Sequence, residues 1–298
     1  MRTLPLLALA ACAGTPRLDG PLPPTWGGAT AYDLASRSNG EIRETLDAMA
    51  AARLRVLRAF IGDLEPALGT WNDLALARVD FIVAEAARRG VRVIVVLHDG
   101  RRDDAYSREW KGAAFYRDSL ARAAFRRRIE HVVARRWSAP EAILAWELQS
   151  EPLWFHAPDW LEDMASYARQ LDPGRLVCSG GVGRVLEGDM FADLVRDTPS
   201  VGLWAYHPTP KEPLDRAASV MTGRCRRKWI LCDFGGPRDE PAAQRKSIEA
   251  ALKAAREHGV PWLFWSLGRD RREKSHDLWP GDFLFDSVIV PAAAERQP

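Results

Sequence analysis

Two carboxylates in this chain of 298 residues interrupt or close apolar runs: Glu151, just past Ile143 to Gln149, and Asp233, inside Lys228 to Phe234. Each needs a reason to be there, because an unpaired charge taken out of water is costly. Other polar or aromatic side chains hold equivalent places. Arg58 lies in Arg55 to Phe60, His98 and Asp99 end Val91 to His98, and Ser150 precedes Glu151. His207 closes Val201 to His207, and Trp265-Ser266 closes Pro261 to Ser266. One such residue is a strand cap; several on one rim make a site. Two facing carboxylates can divide the work of glycoside hydrolysis, one protonating the leaving oxygen while the other attacks the sugar or activates water. Trp154, Trp265 and Trp279 lie in or beside the same segments, where an indole face can stack on a pyranose.

The elements that must position these groups alternate. Eight short runs rich in apolar, β-branched or aromatic residues read as strands, the six above with Gly27 to Tyr32 and Arg175 to Ser179. Helical patterns lie between them. Ser38 and Glu41 have the spacing of a capping box before the face Ile42, Leu46, Met49. Further stripes are Trp71, Leu74, Ala77, Phe81; then Leu120, Phe125, Ile129, Val132; then Leu161, Met164, Ala165, Ala168. Shorter helices are expected over Met190 to Val195, Leu214 to Val220 and Ser247 to Glu257. Strands that alternate with helices and are apolar on both faces imply a parallel sheet, and eight such units imply an α/β (β/α)8 TIM barrel in a single domain over residues 25–290. No G-x-G-x-x-G follows the first strand and no phosphate-loop lysine motif occurs, so no nucleotide cofactor is implied. Gly180-Gly181-Val182-Gly183 reads as a flexible loop.

At the rim residues the chain resembles glycoside hydrolase family 5, the cellulase and mannanase family of the barrel clan of retaining glycosidases. Trp146-Glu147-Leu148-Gln149-Ser150-Glu151-Pro152 is similar to its strand-four motif, normally ending Asn-Glu-Pro, which implies that Glu151 is the acid/base. Val56-Leu57-Arg58 resembles the strand-two arginine that supports the nucleophile, and Val96-Leu97-His98 the strand-three histidine. Trp229 to Gly235 resembles the strand-seven motif, which makes Asp233 the nucleophile or the base for water, and Trp265 the aromatic floor under the sugar. The resemblance implies Arg58, His98, Ser150, His207 and Trp265 as substrate-binding residues, and a β-linked polysaccharide or oligosaccharide as substrate. Ser150, Thr209 and Asp233 depart from the pattern, standing where the family has Asn, Tyr and Glu. The aspartate is one methylene shorter, which withdraws its carboxylate by about 1.5 Å. An alternative reading is a non-catalytic barrel that kept the groove and binds glycan.

The remaining features bound the answer. Forty-two Lys plus Arg against 40 Asp plus Glu leave a formal charge of +2, with no basic track, so nucleic acid is not an expected partner. A monomer is expected. Arg126-Arg127-Arg128 reads as a solvated helix face. Glu147 reads as an inner-barrel carboxylate paired with a cation, and Trp146, Trp204 and Trp262 as core. His131, His156, His258 and His276 share no metal-ligand spacing and read as surface or helix-end histidines, so no metal is expected. Cys178 and Cys232 lie in apolar runs and read as buried thiols; with Cys225 they allow at most one disulfide. Met1-Arg2-Thr3 followed by Leu4 to Ala11 has the form of a signal peptide, and Leu9-Ala10-Ala11-Cys12 resembles a lipobox, making Cys12 the lipidated residue. Residues 12–24 then form a tether to a membrane surface facing the periplasm or cell exterior, and residues 291–298 a tail. Cys12→Ser is expected to move the protein from the membrane to the soluble fraction with its thermal melting unchanged; fractionation and calorimetry check both halves.

Overall fold

The computed structural model describes residues 22–23, 26–100, 105–151, 158–181, 190–208, 222, 228–270 and 275–295. Eight strands form a closed parallel barrel in sequence order, as the alternating pattern implies. They are β1 (Gly27–Ala31), β2 (Val56–Phe60), β3 (Arg92–Val96), β4 (Ile143–Glu147), β5 (Leu176–Gly181), β6 (Leu203–Tyr206), β7 (Trp229–Phe234) and β8 (Trp262–Trp265). Strand β8 pairs back on β1, so no edge remains.

Alternation along each strand makes two cores. Val56, Ile94, Cys178, Leu203, Ala205, Ile230, Cys232 and Leu263 fill the barrel, while Leu57, Val93, Val95, Trp146, Trp204 and Phe264 face the helices. Both described thiols, Cys178 and Cys232, are free and buried inside the barrel, and burial pushes each well above the ordinary thiol range. Trp146, Trp204 and Trp262 are buried as expected.

The described helices are α1 (Asn39–Ala51), α2 (Asp73–Arg88), α3 (Ala105–Glu109), α4 (Ala114–Arg117), α5 (Ser119–Val133), α6 (Pro158–Leu171), α7 (Met190–Asp197), α8 (Pro241–Glu257) and α9 (Val290–Ala294). The capping box at α1 is complete: Glu41 N donates to Ser38 Oγ at 3.3 Å and Ser38 N to Glu41 Oε2 at 2.9 Å. The α6 stripe is buried as read. The stripe assigned to α2 has the wrong phase. Leu74 is 78% exposed, and the packed face is Leu76, Val79, Val83 and Ala86. Trp71 precedes the helix and stacks on His131 at 4.2 Å, so it does not set the register of the face. Leu120 is likewise exposed, in the first turn of α5, where the Asp118 side chain accepts from Leu120 N at 2.7 Å. Helix α8 starts earlier than Ser247, with Pro241 in its first turn, and α9 carries regular structure past residue 290. Gly180 and Gly181 belong to β5 rather than to a loop. The helix expected over Leu214 to Val220, the segment around Cys12, and Trp154, His156, Thr209 and Cys225 lie outside the described residues.

One arginine of the basic run is not solvated. Arg128 is buried, donates from Nε to the Leu97 carbonyl at 2.8 Å, approaches Glu65 at 3.4 Å and lies over the Tyr106 ring. Glu65 also accepts from Tyr106 Oη and from Gly69 N, both at 2.7 Å. Sequence spacing alone puts Arg126, Arg127 and Arg128 within one turn, but 100° per residue sends only the last toward the barrel.

The corrected phase of α2 is testable. Leu76→Ala is expected to cost about 2 to 5 kcal/mol in urea unfolding, whereas Leu74→Ala stays within about 0.5 kcal/mol.

Candidate active site

The rim is organised around Arg58. Its side chain is wholly buried on β2 and reaches two other strands, β4 and β7. Nε and one terminal nitrogen grip Glu147 of β4 at 2.8 and 2.5 Å; that same nitrogen reaches Ser150 Oγ at 3.0 Å, and the other donates to Asp233 Oδ2 of β7 at 2.9 Å. Burial alone would lower the guanidinium pKa, but Asp233 and Glu147 more than offset it and hold it well above the ordinary range. Arg58 is therefore a fixed cation. The bidentate grip goes to Glu147, the inner-barrel carboxylate, and Asp233 receives a single N–H.

Asp233 should not face this way on alternation alone. Ile230 and Cys232 already point into the barrel, which leaves Leu231 and Asp233 to point out. A bulge reverses it: against β8, Leu231 pairs with Trp262 but Phe234 with Phe264, so β7 carries one residue more than its neighbour over this stretch. Asp233 takes the extra turn with φ of +56°. Its carboxylate swings inward to Arg58 and to Thr30, whose hydroxyl donates to Oδ1 at 2.6 Å. Glu151 also has a left-handed backbone, φ +46°. Such a conformation costs an L-residue about 1 to 2 kcal/mol, and among the described non-glycine residues only Arg53 shares it with these two.

His207 lies between the two carboxylates. Its Nε2 is 3.3 Å from Asp233 Oδ2 and its Nδ1 is 3.7 Å from Glu151 Oε1. Gly181 makes room for the ring, since a Cβ there would come within 2.3 Å of the imidazole.

The other predicted residues divide. Ser150 joins the centre through Arg58, and its backbone N–H donates to the His98 carbonyl at 2.9 Å, tying the end of β4 to β3. His98 itself is enclosed by aromatic rings, stacked on Phe115 at 5.3 Å and edge-on to Tyr106 and Phe125. Trp265 is half-buried with its ring 5.5 Å from Tyr32, and Tyr32 donates a short hydrogen bond to Asp99. Trp279 carries Arg269 over its ring at 4.2 Å. Sequence reasoning missed Thr30, in register with Arg58 and Trp265, and Tyr32, just past the end of β1; no signal in the letters marks either.

No family model matches the chain. Curated relatives do. The chain is 26% identical over 305 aligned positions, covering 81% of it and 75% of the relative, to a probable mannan endo-1,4-β-mannosidase A-2 of Aspergillus terreus. It is 32% identical over 205 positions to a probable mannan endo-1,4-β-mannosidase A of Aspergillus oryzae, covering 65% of this chain and 50% of that one. Among solved structures, an endo-1,4-β-mannanase from Rhizomucor miehei superposes with a TM-score of 0.77 at 17% identity, over 90% of this chain and 93% of its own. A glycoside hydrolase family 5 mannosidase from the same organism gives 0.73 at 13% identity, over 90% and 92%. The resemblance is to glycoside hydrolase family 5. Sequence carries it through the mannan relatives, and the solved family 5 barrels share the fold. The chain spans about half the length of most of the curated relatives it matches.

Removing the central cation strands its partners. Arg58→Met is expected to lower stability by about 3 to 5 kcal/mol, because Glu147 is left as an uncompensated charge inside the barrel. Adding Glu147→Gln should recover part of that loss, and urea unfolding of the two variants measures it.

Proposed function

We propose that this protein is a glycoside hydrolase that cleaves β-1,4-linked mannan or a related β-linked polysaccharide, with Glu151 as acid/base and Asp233 as nucleophile. The observation that supports this best is the pairing of two carboxylates, on β7 and just past β4, about a single imidazole, one of them immobilised by Arg58 and Thr30. The names of the mannan relatives favour the sugar.

In the reaction, a lone pair of Asp233 attacks the anomeric carbon as its bond to the leaving oxygen breaks, and that oxygen takes the proton of Glu151. Glu151, now a carboxylate, removes a proton from water; the water oxygen attacks the same carbon, and the ester electrons return to Asp233. Arg58 and Thr30 need not move in either step, which is electrostatic preorganisation. Ser150 and His207 offer hydrogen bonds to sugar hydroxyls, and Trp265, beside Tyr32, offers an aromatic face. Through Cys12 the enzyme would be held at a membrane surface facing outward, since the lipobox-like segment precedes the barrel by a Pro- and Gly-containing stretch. Among the described residues no helix is long and apolar enough to cross a membrane.

Manno-, gluco- and xylo-oligosaccharides, with product anomers read by NMR, test the reading. The expected outcome is cleavage of the manno series with retention, and its loss by a factor of at least about 10² in Glu151→Gln, whose amide has no proton to give. Inversion would make Asp233 the base for water. Binding without cleavage in the parent would favour the glycan-binding alternative.

A further inference from the structure

The Asp233 carboxylate poses a problem that Arg58 does not solve. An aspartate carboxylate turns about a broad, two-fold torsion, so one hydrogen bond to one oxygen leaves its rotation loosely set. Arg58 spends its fork on Glu147 and gives Asp233 one N–H, at Oδ2. His207 Nε2 lies against that same oxygen. Oδ2 is thus flanked by two nitrogen groups, and the opposite oxygen decides the orientation.

Thr30 supplies the second point. It is wholly buried on β1, in register with Arg58 on one side and Trp265 on the other, with its neighbours Ala29 and Ala31 turned to the outer core. A carboxylate can only accept, so the hydroxyl donates, to Oδ1 at 2.6 Å. The side chain is β-branched and stiff about χ1, which makes it a fixed post. Each carboxylate oxygen can accept in two directions, so Oδ1 keeps one open beside the Thr30 bond while both sides of Oδ2 face nitrogen.

We propose that Thr30 is the positioning residue for Asp233, and that Oδ1, the oxygen it fixes, is the one presented to the reacting carbon or water. The proposal rests on the hydrolase reading above for its chemistry but not for its geometry. A bulged strand has turned a short carboxylate inward, and a hydroxyl from β1 sets the plane in which it reacts. A misplacement of about 1 Å at a reacting group can cost on the order of 10²-fold, so the hydroxyl carries a large kinetic effect without touching substrate.

The test compares Thr30→Val, which keeps the shape and loses the donor, with Thr30→Ser, which keeps the donor. On an oligosaccharide that the parent cleaves, Thr30→Val is expected to lower kcat by about 10-fold to 10²-fold with KM within about threefold, and Thr30→Ser to stay within a few-fold of the parent. Unchanged kcat in Thr30→Val, a change in KM alone, or an equal loss in Thr30→Ser overturns the proposal. Should Thr30→Val not fold, Thr30→Ala is read in the same way. If the parent cleaves nothing, the hydrolase reading fails on its own, and crystal structures of parent and Thr30→Val still decide the positioning role. A carboxylate of Asp233 rotated out of its parent plane supports it, and an unrotated one refutes it.

Discussion

A single guanidinium inside the barrel organises this candidate active site. Arg58 binds β2 to β4 through Glu147 and to β7 through Asp233, across 89 and 175 residues of sequence. One positive charge facing two carboxylates leaves the group with a net negative charge, so neither carboxylate is fully compensated by it. Glu147 has the better share, two short bonds in a site closed to water. What remains for Asp233 is one N–H, and the other contacts follow from that deficit: the Thr30 hydroxyl on one oxygen and the His207 ring near the other. The arrangement places a charged group where the proposed chemistry needs it without leaving any member buried and alone.

The fold was legible because eight short apolar runs alternate with helical patterns along the chain. Val93 to Leu97 is apolar at every position, as a strand covered on both faces must be, and all eight runs became barrel strands within a few residues at each end. Helix phase was less legible. With Leu74, Leu76, Ala77 and Val79 close together, α2 has apolar residues on more than one side, and only packing chooses among them. The site was legible as a set of residue types, from Arg58 to Trp265, because polar groups at strand ends stand out against apolar runs. Its wiring was not. Alternation points Asp233 away from the barrel, and the bulge that reverses it has no signature in the letters Cys232-Asp233-Phe234. Thr30 was passed over because a threonine in a strand is ordinary.

A second layer supports the rim from behind. Arg128, on α5, holds the Leu97 carbonyl; the next residue, His98, accepts from Ser150 N; and Leu97 N donates to the Glu147 carbonyl at 2.8 Å. Through these bonds a helix arginine that reads as a surface charge fixes the ends of β3 and β4, from which Ser150 and Glu151 project. Glu65 and Tyr106 complete its surroundings and link the segment before α2 to α3. The aromatic rings around His98 fill the space between this layer and the strands. Support for the end of β4 thus comes from outside the barrel and for Asp233 from within it.

Closure of the barrel on itself has a consequence for how the chain folds. The hydrogen bond between Thr30 and Asp233 joins residues 203 apart, and β1 finds its second neighbour only in β8. Contacts of such long range form late, because the loop entropy must be overcome before they contribute. Arg58 and Glu147 lie 89 residues apart and Thr30 and Asp233 lie 203 apart, so the first pair closes the smaller loop. The site is complete only once β7 and β8 have closed on β1. Geometry of the proposed site then depends on the whole circle, since Thr30 on β1 meets Asp233 on β7 across the seam that β8 closes.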